Sequence, residues 1–330
     1  VYAIRRYTTV GFAPLHRSRT IRTALSGISA GKHYRTAALH RLKDKLDQRF
    51  EQYSRGERAV QNILRRPDDL VIYSLATLFQ HLPMPGFSEN RHLPVPGRLS
   101  SHSELPLGAG MGSSAAAIAA TLVLYEHLLG RPMSDQQRFE RVRFCERLQH
   151  GKGSAIDATA TVYGGLHILR DGRPTPLAAN LSGGWYWILS GIPIVSTGEC
   201  VAHVRQQHGN DTALWQRFAD TTTALQDALT ANADPRPALR ENHRLLAHIG
   251  VVPAPAVALI RDIEAAGGAA KISGAGAHRG DGGGIILAWH PDPQAIPALL
   301  APCPALTWDA LHPAEQGAHL LPDEDEELLA

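Results

Sequence analysis

Cysteine is scarce in this sequence, with three in 330 residues. Cys145, Cys200 and Cys303 stand far apart and fit no metal-ligand spacing,. A disulfide-stapled scaffold and a zinc module are both excluded on that count, and the three read as reduced thiols of a cytoplasmic protein. No apolar run approaches the roughly 20 residues that span a bilayer. Arg5 and Arg6 interrupt the start of the chain before any signal-peptide pattern can form,. Neither sign of charge is in excess: 33 Lys and Arg stand against 31 Asp and Glu, for a net +2. Nothing in that balance asks for a nucleic-acid partner. No internal repeat is present.

What remains is an ordinary globular composition, 44% hydrophobic and 19% charged,. A chain of this length suits one large or two medium domains. The opening Val1–Phe12 is rich in β-branched and aromatic residues and reads as strand. Residues 13–66 are polar and basic, and within them only Leu42–Tyr53 has a helical charge pattern. Asp68 and Asp69 precede a long apolar face running to Gln80, a core helix stopped by Pro83, Pro85 and Gly86,. A second helix opens at Ser113-Ser114, is rich in alanine and closes at Gly130. A third is capped by Ser134 or Asp135, carries Val142, Cys145 and Leu148 on one face, and ends at Gly151-Lys-Gly153. Residues 158–169 and 185–195 read as β-rich. In the last third, Ala256, Leu259, Ile260 and Ile263 recur at helical spacing. The mixture indicates an α/β or α+β fold, with Asp323–Glu327 in a solvated acidic tail.

Three stretches could carry chemistry. In Pro106-Leu-Gly-Ala-Gly-Met-Gly-Ser-Ser-Ala-Ala116, glycines at alternate positions lead straight into a helix. Glycine lets backbone approach an anion, and the helix start aims free N–H groups and positive dipole at the same spot. The plain alternative is a glycine turn with a serine cap. No Lys follows the last glycine, so this is not a Walker loop. The second stretch sets Glu146 near a helix end and Asp157 just past a glycine turn. Such a pair can converge on one metal or one hydroxyl, as phosphoryl transfer requires; taken singly, each is a solvated helix charge or a cap. The third, Lys271–Gly284, is a glycine-rich turn before a strand, either a hairpin connection or a close backbone approach to ligand.

Pro106–Ala116 resembles the central phosphate-binding motif of the GHMP kinases, and Lys271-Ile-Ser-Gly-Ala-Gly276 resembles their C-terminal glycine motif. Glu146, His150-Gly151, Ser154-Ala-Ile-Asp157 and Gly164-Gly165 follow the order found in mevalonate kinases, and Glu241–Gly250 is similar to that branch. The resemblance covers roughly residues 95–290. It implies a two-lobed α+β fold, with a ribosomal-S5-like N-terminal lobe over 1–180, a ferredoxin-like C-terminal lobe over 181–322, and the tail at 323–330. It further implies ATP and Mg²⁺. Gly108, Ala109, Gly110, Met111, Gly112, Ser113 and Ser114 would wrap the triphosphate, and Ser114 with Glu146 would hold the metal. Asp157 would face the substrate hydroxyl, while Gly274, Ala275 and Gly276 support the phosphate loop. The implied partner is a small molecule, mevalonate or phosphomevalonate, with no nucleic acid, no membrane and a homodimer as the assembly.

Three departures accompany the resemblance. The family's first motif, a Pro-x-Lys strand leading to Gly-Glu-His, is not in these residues. Either it has been lost ahead of Val1 or another cation stands in, Lys152 before Arg279. The usual Ser-Gly-x-Asp reads Ser154-Ala-Ile-Asp157. The C-terminal motif is lengthened by Ala277-His-Arg279, and Gly280-Asp-Gly-Gly283 and Lys152-Gly-Ser154 lean toward phosphomevalonate kinases.

Overall fold

The fold was described from a computed structural model over residues 1–15, 18–27, 31–81, 96–106, 108–179, 181 and 184–322. The expected helix stop at Pro83–Gly86, Leu107 and the acidic tail lie outside these residues. The first lobe begins with β1 (Thr8–Pro14), β2 (Thr20–Leu25), β3 (His33–Arg35), α1 (Leu39–Ser54), α2 (Asp69–His81) and β4 (Gly97–Ser103). It continues with α3 (Ser113–Leu128), α4 (Asp135–His150), α5 (Ala155–Tyr163) and a hairpin of β5 (His167–Arg170) and β6 (Arg173–Pro176). Its main sheet has the order β1-β4-β2-β3, with β2 parallel to β4 and the other pairs antiparallel.

Helix α3 is the axis of this lobe. Its sequence is apolar all round rather than amphipathic, which is the signature of a helix buried on every side. Ala115, Ile118, Ala119, Leu122 and Tyr125 are indeed fully buried, among β1, α2, α4 and α5. The one acid in its interior, Glu126, is neutralised by Arg138 of α4 at 2.9 Å. Helix α4 opens on a reciprocal capping box between Ser134 and Gln137 and closes on left-handed Gly151 (φ 77°),. Val142, Cys145 and Leu148 face the core, as their spacing indicates.

One expectation is overturned here: residues 158–163 are helical, within α5, and only 167–170 are strand. Thr159, Thr161 and Val162 have strand propensity, but the Ser154 hydroxyl accepts from the Asp157 N–H and starts a helix,. The threonine hydroxyls then turn back to the carbonyls of Ala155 and Asp157, and packing on α3 and α4 decides the outcome,.

The second lobe runs β7 (Trp185–Leu189), α6 (Thr197–His208), α7 (Thr212–Thr230), α8 (Arg236–His248), α9 (Ala254–Ala265), β8 (Ala269–Ser273), β9 (Ile285–Trp289), α10 (Ala295–Leu300) and β10 (Thr307–Ala310). Its sheet is antiparallel in the order β10-β7-β9-β8. A strand–helix–strand–strand–helix–strand chain with that order is the ferredoxin-like arrangement. Ala270, Ile272, Ile286 and Ala288 face α9, whereas Trp187 and Ile285 lie on the opposite face and meet the first lobe. The stretch after β10 returns to the first lobe, where Ala314 and Ala318 bond backbone to Ala3 and Thr161. Cys145 and Cys200 are buried free thiols and Cys303 is exposed. Among the described residues no helix is long and apolar enough to cross a membrane.

Candidate active site

The turn before α3 is built on three left-handed glycines, Gly108 (φ 76°), Gly110 (φ 81°) and Gly112 (φ 70°). L-residues avoid that region, and alternation of left-handed with ordinary residues folds successive backbone N–H groups into a concave anion cradle. Gly112 itself is the N-cap of α3, with no side chain capping it. The serine cap of the plainer alternative is therefore absent. Ser113 and Ser114 lie inside the first turn, and the Ser114 hydroxyl faces Glu146. Between the glycines, Ala109 is buried and packs with Met111 against Trp187 and Ile285 of the second lobe. That apolar contact holds the turn from behind.

The C-terminal glycine motif closes on the same turn. A Cβ at Gly274 would lie 3.4 Å from the Gly110 carbonyl, and one at Gly284 only 2.9 Å from that of Ala109. Glycine is needed at both positions because backbone meets backbone. Ile192, on the loop after β7, reaches within 3.6 Å of the Cβ position at Gly108. Sequence reading missed Gly284 and Ile192 as neighbours of the turn; glycine content hinted at the first, and nothing local marks the second.

Asp157, in the first turn of α5, meets the turn from the other side: a Cβ at Gly112 would stand 3.2 Å from its Oδ1. Glu146, near the end of α4, is completely buried, and among the described residues neither carboxylate oxygen has a hydrogen-bond partner of good geometry. Its pKa is pushed up to about 7, chiefly by burial, with the Ser114 hydroxyl pulling it down and the Asp157 charge pushing it up. Burial likewise raises Asp157, against a hydrogen bond from the Ser154 side. His150 lies 3.6 Å from Glu146 Oε2, and burial lowers its pKa. Three chain segments thus bring Gly112, Ser114, Glu146 and Asp157 together.

An isolated buried carboxylate with both oxygens unpartnered is costly unless a cation meets it. With Ser114 and Asp157 beside it, the donor set is all hard oxygen, which suits Mg²⁺. No cluster of three or more His, Cys, Asp or Glu side chains among the described residues could enclose a metal unaided. That fits an ion held by one or two carboxylates, with phosphate oxygens and water completing its shell.

The two candidate cations differ in how they are engaged. Lys152 is exposed on the Gly151–Gly153 turn, and no hydrogen bond or ion pair engages it among the described residues. Arg279 is already paired with Glu199 at 2.9 Å.

A glycine turn closed by two lobes, with an acidic pair at its rim, is an arrangement that can receive a phosphate group. Comparison with known proteins points the same way. Residues 70–165 match the family model described as the GHMP kinases N terminal domain. The mevalonate kinase of Pyrococcus horikoshii is 30% identical over 216 residues, covering 59% of this chain and 60% of that protein. The solved mevalonate kinase of Methanococcus jannaschii superposes with a TM-score of 0.71 at 13% identity, over 95% of this chain and 90% of that one. A Lactococcus lactis galactokinase, complexed with galactose, gives 0.69 at 14% identity over 96% and 88%. The two lobes together have the fold of these kinases. The match spans about 60% of the length of the curated Pyrococcus relatives.

Proposed function

We propose that this chain is an ATP-dependent phosphotransferase with an alcohol acceptor, and that mevalonate is the acceptor. The observation that carries the reading is the buried, unpartnered Glu146 beside Ser114 and Asp157, at the mouth of a glycine cradle. The likeness to archaeal proteins named mevalonate kinase supports the choice of substrate.

In this reading the backbone N–H groups of Gly108–Ser114 and the start of α3 bind the β- and γ-phosphates of ATP. Gly274 backs the turn at Gly110, and Ala275 and Gly276 anchor that loop to Cys200 and Val251. Ser114 and Glu146 would hold Mg²⁺, which would supply positive charge to offset that of the phosphates. Asp157 orients the acceptor hydroxyl and takes its proton as the oxygen attacks the γ-phosphorus. Its burial favours the neutral acid after transfer, so the proton has a stable resting place. Lys152, on the turn leading into α5, stands as the fixed cation near the transferred group. The division into lobes at 1–180 and 181–322, a cytoplasmic location and a homodimer belong to the same reading.

The test is ADP release by the full chain with MgATP over mevalonate, phosphomevalonate, galactose and homoserine. Turnover with mevalonate well above the others is expected. Preference for phosphomevalonate would move the enzyme one phosphorylation along, and binding of ATP without turnover on any acceptor would leave a ligand-binding protein.

A further inference from the structure

The lengthening of the C-terminal glycine loop by Ala277-His278-Arg279 has a counterpart in the structure. Every residue of the insertion is engaged by the second lobe, mostly by α6. Ala277 is buried among Cys200, Val195 and Val251, and its N–H donates to the Val251 carbonyl at 2.9 Å. The His278 ring lies flat on that of His203, with centroids 4.2 Å apart and 11° between planes. Arg279 pairs with Glu199 at 2.9 Å, and His278 Nε2 stands 3.9 Å from the same carboxylate. Just ahead of the insertion, the Cys200 thiol donates to the Ala275 carbonyl at 3.1 Å. Glu199, Cys200 and His203 occupy consecutive and next-turn positions of one helix, so one rigid element grips the outer side of the loop.

The inner side of the same loop is what touches the phosphate turn, through Gly274 against Gly110 and Gly284 against Ala109. A glycine loop has little intrinsic stiffness, since each glycine loses more backbone freedom on ordering than any other residue. Its set against the turn must come from contacts outside it.

We infer that α6 and the Ala277–Arg279 insertion form a clasp that holds the glycine loop against the phosphate turn, making Glu199, His203, His278 and Arg279 positioning residues for nucleotide binding. All four act through the loop. The inference rests on the kinase reading for its ligand, but its mechanical part does not. The competing account is that α6 and the loop pack only for stability, in which case loosening the clasp leaves the phosphate turn unaffected.

Amide hydrogen exchange on the full chain without nucleotide separates the two. In His278→Ala, and in Arg279→Ala at an exposed position that tolerates truncation, exchange is expected to quicken over 274–284 and also over 108–114. MgATP binding, read by calorimetry, should weaken about three- to tenfold, the range typical of residues acting through a contact network, while kcat at saturating ATP stays within about twofold. Reversing the ion pair, with Glu199→Arg in the Arg279→Glu background, should restore both protection and affinity. Quickened exchange confined to 274–284, or no rescue by the reversed pair, overturns the clasp. If the wild-type chain binds no MgATP, the kinase reading falls, and the clasp is then decided by exchange over 108–114 alone.

Discussion

Replacing Glu146 by Gln should make the metal-free protein more stable at alkaline pH and not at acidic pH. Burial without a partner raises the folded-state pKa of Glu146 from 4.5 to about 7. The folded protein therefore binds a proton that the unfolded chain has lost between those values, and stability falls as pH rises through that window. At 1.36 kcal/mol per pH unit, the full cost of ionising Glu146 is about 3 kcal/mol. Slightly under 1 kcal/mol of this is already felt at pH 5, leaving about 2.5 kcal/mol between pH 5 and pH 8. Gln cannot ionise, so the variant escapes that loss. The buried amide has its own desolvation cost, about 1–3 kcal/mol, but it is independent of pH and cancels in the difference. Urea unfolding in EDTA at both pH values gives the number. A Glu146→Gln effect that is the same at pH 5 and pH 8 would refute the reasoning, because it would mean that Glu146 is satisfied inside the protein and awaits no cation.

Asp157→Asn should leave MgATP affinity nearly intact while turnover falls about 100-fold or more, as for other positioned proton acceptors; near-normal turnover in a steady-state assay would remove Asp157 from the chemistry. Gly112→Val should abolish nucleotide binding in calorimetry on folded protein. Its branched side chain meets a left-handed φ of 70° and the Asp157 carboxylate together,, and wild-type affinity would reduce the turn to a helix cap. Lys152→Met should lower kcat by about tenfold or more if Lys152 is the fixed cation, with thermal stability changed little because the residue is exposed. Unchanged kcat would leave Lys152 as a charge at the end of α4, worth about 0.3–1 kcal/mol to that helix.

Much of the site was legible because its residues are tied to backbone devices that leave local marks. Alternate glycines before an alanine-rich run marked the glycine turn and the start of α3. Glu146 and Asp157 could be singled out since a helix end and a glycine turn separate them. The first lobe's sheet was harder. Strand β2 alternates buried Ile21, Thr23 and Leu25 with exposed positions, but six residues of period two among basic neighbours are a faint signal, and its partner β4 lies more than seventy residues away. Helix α5 was misread because β-branched threonine and valine argue locally for strand, whereas burial against α3 and α4 is decided elsewhere in the chain. The part played by α6 left no local trace at all. His203, Glu199 and Cys200 become meaningful only when the fold brings the Ala277–Arg279 insertion across them.

The central claim is that the glycine cradle and the Glu146–Asp157 pair transfer a phosphoryl group from ATP to an alcohol. Phosphorus NMR of the full chain incubated with ATP, Mg²⁺ and mevalonate reads this directly. Loss of the γ-phosphate signal, an equal rise of ADP and a new phosphate monoester on mevalonate are expected, all suppressed by Asp157→Asn. ATP bound but unconsumed, or hydrolysed only to inorganic phosphate with no ester formed, would contradict it.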